Sequence, residues 1–347
     1  MLLYINHIEN DNFLVTKFMF DKISLIMKNQ TYTIFSYFMI LVLCTSLFSD
    51  VGFSEESIKM MKEFSVGAWS MGIATFENNI FVANGIGNKI YVLDNNGNFI
   101  RDFYLKDQGC SGHIHGIDVF DQKIYVAKEN NDCVGIYDLN GELLNVFGKT
   151  GNKNGEFNSP QNLEIYENKI FVVDSINHRI QIFDNEGQYV DEILIQGDDI
   201  QIFDIEIFDQ KIFVSVNTHF IQIFDLNGQF IDEFGSEGSK FGQFQSPFGI
   251  EIKNEMIFVS DIHNNRIQIF DINGNFLYEI KSDFKGPHQS VLLDDKLFVL
   301  DTYNFKVKIF QLPIQLTNSN PMYYYFVIIF VMIILLFVYL IKFKKII

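Results

Sequence analysis

Histidine side chains occur at corresponding places in a segment that recurs along the chain. The residues that align at this place in six successive segments are Met71, His115, Gln161, Phe203, Phe248 and His288. Imidazole is a common zinc ligand, and His113 lies nearby in the sequence, so His115 and His288 are candidate ligands of a zinc ion. The alternative is that both histidines are ordinary polar residues that bind no metal.

Acidic side chains occur three residues further along in four consecutive segments. These residues are Asp118, Glu164, Glu206 and Glu251, whereas the first and last segments carry Ala74 and Val291. Carboxylates that converge repel one another, which raises their pKa values unless a cation or water lies between them. A hard cation such as Ca²⁺ prefers oxygen ligands. The four carboxylates therefore indicate either a cation site or the lining of a solvated channel.

Two cysteines lie outside the apolar ends of the chain, and they are Cys110 and Cys133. Both fall in segments that connect predicted strands, and in a propeller these two connections open on the same face. A disulfide between them is compatible with a location outside the cytoplasm, and a pair of free thiols is the alternative. The spacing alone does not decide between these states, because disulfide formation depends on geometry.

The recurring segment is built from short strands. An apolar strand begins at Ile80, Ile124, Ile170, Ile212, Ile257 and Leu297, at steps of 40 to 46 residues. Another strand precedes each copy, and most copies are followed by a strand of period-2 alternation, a turn ending in Gly and a fourth strand. Asn-Gly pairs such as Asn96-Gly97 predict type I′ hairpin turns. Four antiparallel strands in 40–45 residues form one propeller blade, so the sequence predicts an all-β, six-bladed β-propeller.

The sixth segment lacks its fourth strand. After residues 306–310 the chain reads Gln-Leu-Pro, without a hairpin turn. Residues 59–64, which precede the first segment, resemble the missing strand because they end in Glu63-Phe64, as the fourth strand of another segment ends in Glu233-Phe234. We therefore expect an N-terminal strand to complete the last blade, since closure of the ring removes an exposed sheet edge.

These segments resemble NHL repeats. The resemblance rests on two near-identical stretches, residues 173–183 and 260–270, and on the connectors at 147–160 and 234–247; it covers roughly residues 58–312. It implies a propeller, but not one function, because the family includes partner-binding scaffolds, RNA-binding domains and an amidating lyase. In lyases of this kind the resemblance implies a metal held by histidines of different blades, and here only His115 and His288 match.

A repeated ion pair is predicted in the two best-conforming segments. Asp174 and Arg179, and likewise Asp261 and Arg266, flank the turn between the second and third strands. We interpret these pairs as structural, because a repeated polar pair normally satisfies the charge and backbone groups of a turn. The other segments depart from this pattern, most clearly the second, which carries Lys128 and Cys133 at the two positions.

The charge of the chain argues against nucleic-acid binding. The formal net charge is −17, and the part between the basic ends contains 40 acidic against 20 basic residues. Nucleic-acid binding normally requires a basic surface, so we expect no nucleic-acid partner. A content of 48% hydrophobic residues provides ample material for a packed core.

Both ends of the chain carry membrane signals. Residues 322–341 are apolar and uncharged, long enough to span about 30 Å of hydrocarbon as a helix, and are followed by a short basic tail at 342–347. The positive-inside rule places this tail in the cytoplasm. Residues 27–52 resemble a signal peptide or a signal anchor, residues 1–26 read as a non-native upstream extension, and 313–321 as a linker. The expected arrangement is a single-pass membrane protein (two-pass if the signal is uncleaved) with residues 57–312 outside the cytoplasm.

The sequence favours binding over catalysis. Our leading hypothesis is a membrane-anchored scaffold that recognises a protein, peptide or glycan outside the cytoplasm through variable loops. The competing hypothesis is a metal-dependent lyase or hydrolase with its site at the channel mouth, around His115 and His288. No cofactor is firmly implied, and calcium or zinc in the central channel is the candidate.

Overall fold

A computed structural model of the protein describes residues 58–106, 109–195, 197 and 200–313. The predicted segments 1–26, 27–52, 322–341 and 342–347, and nearly all of the predicted linker, lie outside these residues. None of the helices in the described part is long and apolar enough to cross a membrane.

The described residues form 24 strands in six blades. The innermost strands of blades 1 to 6 are β2 (Ser70–Phe76), β6 (Ile114–Phe120), β10 (Pro160–Tyr166), β14 (Ile202–Phe208), β18 (Pro247–Lys253) and β22 (Pro287–Leu293). The second strands are β3 (Asn79–Asn84), β7 (Lys123–Lys128), β11 (Lys169–Asp174), β15 (Lys211–Val216), β19 (Met256–Asp261) and β23 (Lys296–Asp301). The third strands are β4 (Lys89–Asp94), β8 (Cys133–Asp138), β12 (Arg179–Asp184), β16 (Phe220–Asp225), β20 (Arg266–Asp271) and β24 (Lys306–Gln311). The outer strands of blades 1 to 5 are β5 (Phe99–Tyr104), β9 (Leu143–Phe147), β13 (Tyr189–Leu194), β17 (Phe230–Gly235) and β21 (Phe276–Lys281).

Each blade is a four-stranded antiparallel sheet whose strands pair in chain order from the axis outward. The predicted six-bladed propeller is therefore confirmed. Single-turn 3₁₀ helices follow the second strands of blades 3, 5 and 6, at Ser175–Asn177, Ile262–Asn264 and Thr302–Asn304. The connectors between blades and the turns between second and third strands lie on one face of the ring, which we call the entry face. The hairpin turns between third and outer strands lie on the opposite face.

The predicted closure of the ring is also confirmed. Strand β1 (Lys59–Ser65) pairs antiparallel with β24, so that blade 6 has the sheet order β1-β24-β23-β22. An ion pair between Glu63 and Lys306 joins the two strands. The amide of Val66 donates to the carbonyl of Phe305 at 2.8 Å, and Phe64 stacks on Phe99 of blade 1 with ring centroids 5.9 Å apart. The first strand therefore ties blade 6 to blade 1 by backbone and by side chains.

The core lies between neighbouring blades. Each blade presents both faces of its sheet to a neighbour, so the second strands are buried along almost their whole length and read as continuous apolar runs rather than as alternating patterns. Between blades 4 and 5, for example, Phe213 and Ile221 pack in one cluster with Ile250, Val259 and Phe270. The outer strands are mostly exposed, which matches their higher content of charged residues.

The predicted type I′ turns are not formed. In the hairpin of blade 1, only Gly97 has a positive φ (69°), and Gly97 donates its amide to the carbonyl of Asp94, three residues earlier. This is a three-residue loop, a turn followed by a left-handed glycine and a bulge in the strand pairing. The physical reason is Asp94, whose Oδ1 accepts the amides of Asn96 and Asn98 and so stabilises the longer loop. The same aspartate contacts recur at Asp138, Asp184, Asp225 and Asp271.

The Asp–Arg pairs fasten the connectors between blades. In blade 3, Arg179 Nε donates to Asp174 Oδ2 at 2.7 Å, and its Nη2 donates to the carbonyls of Lys153 and Glu156 in the preceding connector. Asp174 Oδ1 accepts the amide of Asn158 at 2.7 Å. Blade 5 repeats this arrangement with Asp261 and Arg266. Each pair is buried and fully hydrogen-bonded, as a buried ion pair must be to persist.

Blades 2 and 6 replace the arginine in different ways. In blade 6, Lys308 pairs with Asp301 at 2.9 Å from two residues beyond the arginine position. In blade 2, a buried Lys128 occupies the aspartate position and donates to the carbonyl of Cys110 at 2.9 Å, and a disulfide joins Cys110 to Cys133. The sequence departures in these blades therefore correspond to alternative ways of fastening the same connector.

Deletion of residues 59–65 tests the closure strand. Without β1, the edge of β24 is open and Phe99 loses its stacking partner, so we expect the melting temperature to fall by about 10 °C or more. Thermal unfolding followed by circular dichroism measures this change. Substitution of exposed side chains on the same strand, Lys59→Ser and Met61→Ser, keeps the backbone pairing and should leave the melting temperature nearly unchanged. Equal melting temperatures for the deletion and the wild type would contradict the role of β1.

Candidate functional site

The inner strands surround a cavity of about 200 Å³ on the axis of the ring. Asp118, Glu164, Glu206 and Glu251 all line it, so the structure brings the four predicted carboxylates together. A fifth carboxylate, that of Asp204, lines the same cavity from blade 4. The sequence interpretation missed Asp204, although a signal existed: it aligns with Asn162 and Gln289, two other polar residues within apolar strands.

Several of these side chains join neighbouring blades. Asp118 Oδ2 accepts the amide of Ile165 in the next blade at 2.9 Å, and Asp204 Oδ2 accepts that of Ile250 at 2.8 Å. Glu251 Oε1 accepts the amide of Leu292 at 3.0 Å, and Gln289 Oε1 that of Ile73 at 3.3 Å, across the junction between blades 6 and 1. In blade 5, Gly249 occupies the position that Asp204 has in blade 4, and a Cβ atom on Gly249 would lie 2.5 Å from the carbonyl oxygen of His288. The innermost strands are therefore held together either by a polar side chain or by direct backbone approach.

The carboxyl groups of the cavity hold their protons strongly. Burial, which removes the charged form from water, raises the pKa of Asp118 to about 6 and the pKa values of Asp204 and Glu251 to about 7. For these three groups, hydrogen bonds from backbone amides act in the opposite direction. Burial and the neighbouring carboxylates raise the pKa values of Glu164 and Glu206 well above their ordinary range. In the part of the chain that the structure describes, neither of these two carboxyl groups accepts a hydrogen bond that would oppose this shift.

The two predicted zinc ligands lie at the entry-face mouth of the channel, above the cavity. His115 of blade 2 and His288 of blade 6 have ring centroids 6.0 Å apart. His288 continues into a row of rings, with the centroid of Phe248 at 3.9 Å and that of Phe203 a further 4.6 Å away. The row crosses the mouth from blade 2 to blade 4. These histidines therefore belong to a row of aromatic rings across the mouth of the channel, which the sequence interpretation did not foresee.

The surroundings of the histidines favour neutral imidazoles. His288 Nδ1 lies 3.2 Å from the carbonyl oxygen of Met71, and burial lowers its pKa to about 3. Burial also lowers the pKa of His115, although Glu129, 3.6 Å away, opposes that shift. Neutral imidazole is the metal-binding form. However, among the described residues no group of three His, Cys, Asp or Glu side chains is placed to hold a metal ion, so neither the zinc nor the calcium hypothesis gains a complete ligand set.

The predicted cysteine pair is joined. Cys110 lies in the connector into blade 2 and Cys133 begins the third strand of that blade; their Cα atoms are 5.9 Å apart and their sulfur atoms form a disulfide. Both residues are buried. The bond fastens the connector to the blade at the place where blades 3 and 5 use the Asp–Arg pair.

A second candidate surface lies on the entry face, where blade 6 meets blade 1. It consists of Trp69, Ile86, Tyr303 and Phe305, which we call the junction patch, and all four side chains are exposed. Backbone bonds bring their segments together, because the amide of Gly85 donates to Trp69 and that of Val66 donates to Phe305. Thr302 Oγ1 donates to the carbonyl of Ser70 at 2.8 Å, which joins the turn that contains Tyr303 to the segment that contains Trp69. Sequence reasoning missed this patch because its members are up to 236 residues apart in the chain.

Two members of the junction patch have unusual backbone conformations. Trp69 and Phe305 have φ values of 58° and 57°, in the left-handed region that large side chains avoid. At the position of Phe305 the other blades carry Asn88, Asp132, His178, His219 and Asn265, all polar. At the position of Trp69, before the innermost strand, blades 3, 5 and 6 carry the small residues Ser159, Ser246 and Gly286, which also have positive φ values. Trp69 is 50% exposed and Phe305 is 46% exposed, so neither ring is well buried in compensation.

Comparisons with known proteins support the fold alone. No protein-family model matches the sequence, and no curated protein matches it. Among solved structures, the chain is similar to the WD40 β-propeller domain of Doa1, with a TM-score of 0.55 and 10% identity over 74% of this chain and 97% of that one. It is also similar to hydrazine synthase of Kuenenia stuttgartiensis, with a TM-score of 0.52 and 12% identity over 69% of this chain and 82% of that one. At such low identity the similarity establishes a β-propeller and carries no function.

The raised pKa values predict that the cavity destabilises the protein as the pH rises. The folded protein keeps protons on Asp204 and Glu251 up to about pH 7, whereas the unfolded chain loses them near their ordinary values. Their contribution to stability is therefore complete at about pH 4 and is lost as the pH rises through 7. Between pH 5 and 8, the melting temperature of the wild type should fall by several degrees more than that of an Asp204→Asn, Glu251→Gln variant.

The lowered pKa of His288 has the opposite effect on stability, because it destabilises the folded protein at acidic pH. His288 is present in both the wild type and the cavity variant, so its effect cancels when their pH profiles are compared. A control variant with exposed substitutions, Asp232→Asn and Glu186→Gln, should follow the wild-type pH profile. Parallel profiles for the wild type and the cavity variant would show that the cavity carboxyl groups titrate normally.

Proposed function

We propose that the propeller is a binding scaffold for a protein or peptide, and that the junction patch is its docking surface. The observation that carries this proposal is the left-handed conformation of Trp69 and Phe305, combined with the exposure of their rings. A non-glycine residue in this conformation costs about 1 kcal/mol or more. Because neither ring recovers this cost by burial within the described residues, folding does not explain why these residues are aromatic.

The chemistry of the patch fits an apolar anchor on the partner. Tryptophan, tyrosine and phenylalanine are enriched at the centres of protein interfaces, where each contributes a large contact area with few rotatable bonds. The rigid ring of blades holds the patch in place, so little ordering is required on binding.

The acidic charge of the chain favours a partner with basic residues beside its apolar anchor. The part between the basic ends carries twice as many acidic as basic residues, so its electrostatic field attracts a positively charged partner. We therefore propose a partner segment in which an apolar residue is flanked by lysine or arginine. Glycan binding is the competing outcome, since aromatic rings also stack on sugars.

We also propose membership of the NHL-repeat group and a position outside the cytoplasm, anchored by residues 322–341. The repeated Asp–Arg pairs and their connectors support the first proposal. The uncharged apolar run and the basic tail support the second, and the buried disulfide is consistent with it. In this arrangement the entry face is available to partners on the outer side of the membrane.

An array of synthetic peptides tests the docking surface. An apolar anchor is flanked by lysine, by glutamate or by serine, and binding to the purified full-length protein is measured by fluorescence. We expect the lysine-flanked peptides to bind best and a Trp69→Asn, Phe305→Asn variant to lose at least about tenfold in affinity, which corresponds to about 1.4 kcal/mol. Asparagine accepts the left-handed conformation, so this variant should melt at the same temperature as the wild type or slightly higher.

The melting temperature separates binding from a structural role. If the two rings were structural, the double variant would melt at a lower temperature, and that result together with unchanged peptide binding would overturn the proposal. Leu144→Thr and Ile231→Thr, which remove exposed apolar side chains from outer strands, provide the control and should leave binding unchanged. Binding of an oligosaccharide array instead of any peptide would replace the proposed partner by a glycan.

Proteolysis of intact cells tests the proposed location. A protease added outside the cells should digest the propeller and leave a short membrane-bound fragment that contains residues 322–341. The result is read by mass spectrometry of the membrane fraction. Complete protection in intact cells, with digestion only after permeabilisation, would place the propeller in the cytoplasm.

A further inference from the structure

We infer that the central cavity is a binding site for a small alkylammonium cation. The carboxylates of Glu164 and Glu206 would bind the ammonium group, and Ala74 and Val291, which occupy the same position in blades 1 and 6, would contact the alkyl chain. This site is separate from the junction patch, and the inference does not depend on the proposed docking function.

The carboxyl groups surround only part of the cavity. Blades 2 to 5 contribute the five carboxyl groups, whereas Ala74 of blade 1 and Val291 of blade 6 occupy the position that carries an acid in the other four blades. The rest of the lining is mixed, because Thr75, Gln289 and Ser290 of blades 1 and 6 are polar and each of the other blades also contributes an apolar residue. A small ammonium ion with a short alkyl chain matches this cavity, because its charge can lie beside the carboxyl groups and its carbon atoms beside Ala74 and Val291.

Two further polar atoms in the lining lack partners. Asn162 is 8% exposed and Ser290 is 4% exposed, and both residues line the cavity. Within the described residues, neither Asn162 Oδ1 nor Ser290 Oγ makes a hydrogen bond. Buried polar atoms are almost always satisfied, so these two indicate that another molecule supplies donors here. An ammonium group carries three N–H donors, which matches a lining made mainly of acceptors.

The spacing of the carboxyl groups separates an organic cation from a metal ion. No three acidic or histidine side chains among the described residues are placed to hold one metal ion. A Ca²⁺ ion requires six to eight oxygen ligands at 2.3–2.6 Å, which demands tighter convergence. Glu164 and Glu206, on adjacent blades, receive no hydrogen bond in the described structure and are the groups that gain most from a cation. Asp118, Asp204 and Glu251 are already bonded to backbone amides.

Access is from the face opposite the junction patch. At the entry face the rings of His115, His288, Phe248 and Phe203 lie in a row across the mouth. The lining extends in the other direction to Thr75 and Lys253, near the ends of β2 and β18. Lys253 is the one basic residue in the lining and is exposed, and its charge opposes the raised pKa of Glu251.

Isothermal titration calorimetry of the full-length protein with n-butylammonium chloride tests the site. We expect saturable binding with a stoichiometry of one, and no binding of 1-butanol, which has the same chain but lacks the charge. A Glu164→Gln, Glu206→Gln variant should bind the amine at least about tenfold more weakly, because the amides keep the shape but remove the negative charge. The control variant Glu186→Gln, Glu237→Gln changes two exposed glutamates and should bind as the wild type does.

A second measurement uses only the wild-type protein. If the ammonium ion binds beside carboxyl groups that are protonated in the free protein, binding releases protons, and the heat of binding at pH 6.5 differs between phosphate buffer and the zwitterionic buffer ACES, which have different enthalpies of ionisation. Equal heats in the two buffers would overturn the inference even if the glutamate variant failed to fold. Binding of CaCl₂ with no binding of the amine would identify a metal site instead, and binding of neither would leave only water in the cavity.

The two proposals fail independently. The Trp69→Asn, Phe305→Asn variant should bind n-butylammonium as the wild type does, and the Glu164→Gln, Glu206→Gln variant should bind peptides as the wild type does. Loss of amine binding in the junction-patch variant would contradict a separate channel site.

Discussion

The structure depends on the close approach of six innermost strands around one axis. Each blade can bury both faces of its sheet only if its neighbours lie on both sides, and this condition is met for all six blades only when the ring is closed. Strand β1 supplies the last piece of that closure, because it completes blade 6 from the other end of the described chain. Near the axis, a hydrogen bond from the amide of Ile73 to the side chain of Gln289 also joins blade 1 to blade 6.

The same close approach creates the acidic cavity. A residue at a given depth on one innermost strand is brought near the residues at the same depth on the others, so a carboxylate repeated in successive blades becomes a cluster. Asp118, Asp204 and Glu251 are stabilised there by amides of the neighbouring blade, and they contribute to the packing of the ring as acceptors. Glu164 and Glu206 have no such role, which makes them the chemically available groups of the channel.

The two candidate sites differ in the way the fold forms them. The cavity follows from repetition, since its carboxyl groups occupy one position in consecutive blades. The junction patch arises where the repeat pattern is broken, since Trp69 and Phe305 replace the small or polar residues found at equivalent turns. It lies where the first and last blades meet, at the place where two ends of the repeat array form a surface that no internal pair of blades shares.

The repeat, the blade count and the closing strand could be predicted from the sequence, because each is encoded by local patterns of apolar residues at regular spacing. The alignment of repeats also identified four of the five cavity carboxylates, since equivalent positions share a depth in the channel. The tertiary structure alone decided the rest. It showed the hairpin of Asp94 as a three-residue loop, because a side-chain contact outweighed the preference of Asn-Gly. It placed His288 in a row of rings, and it joined the segments of Trp69 and Phe305 where blade 6 meets blade 1, because contacts across blades depend on where the closed ring brings distant residues and not on their spacing in the chain.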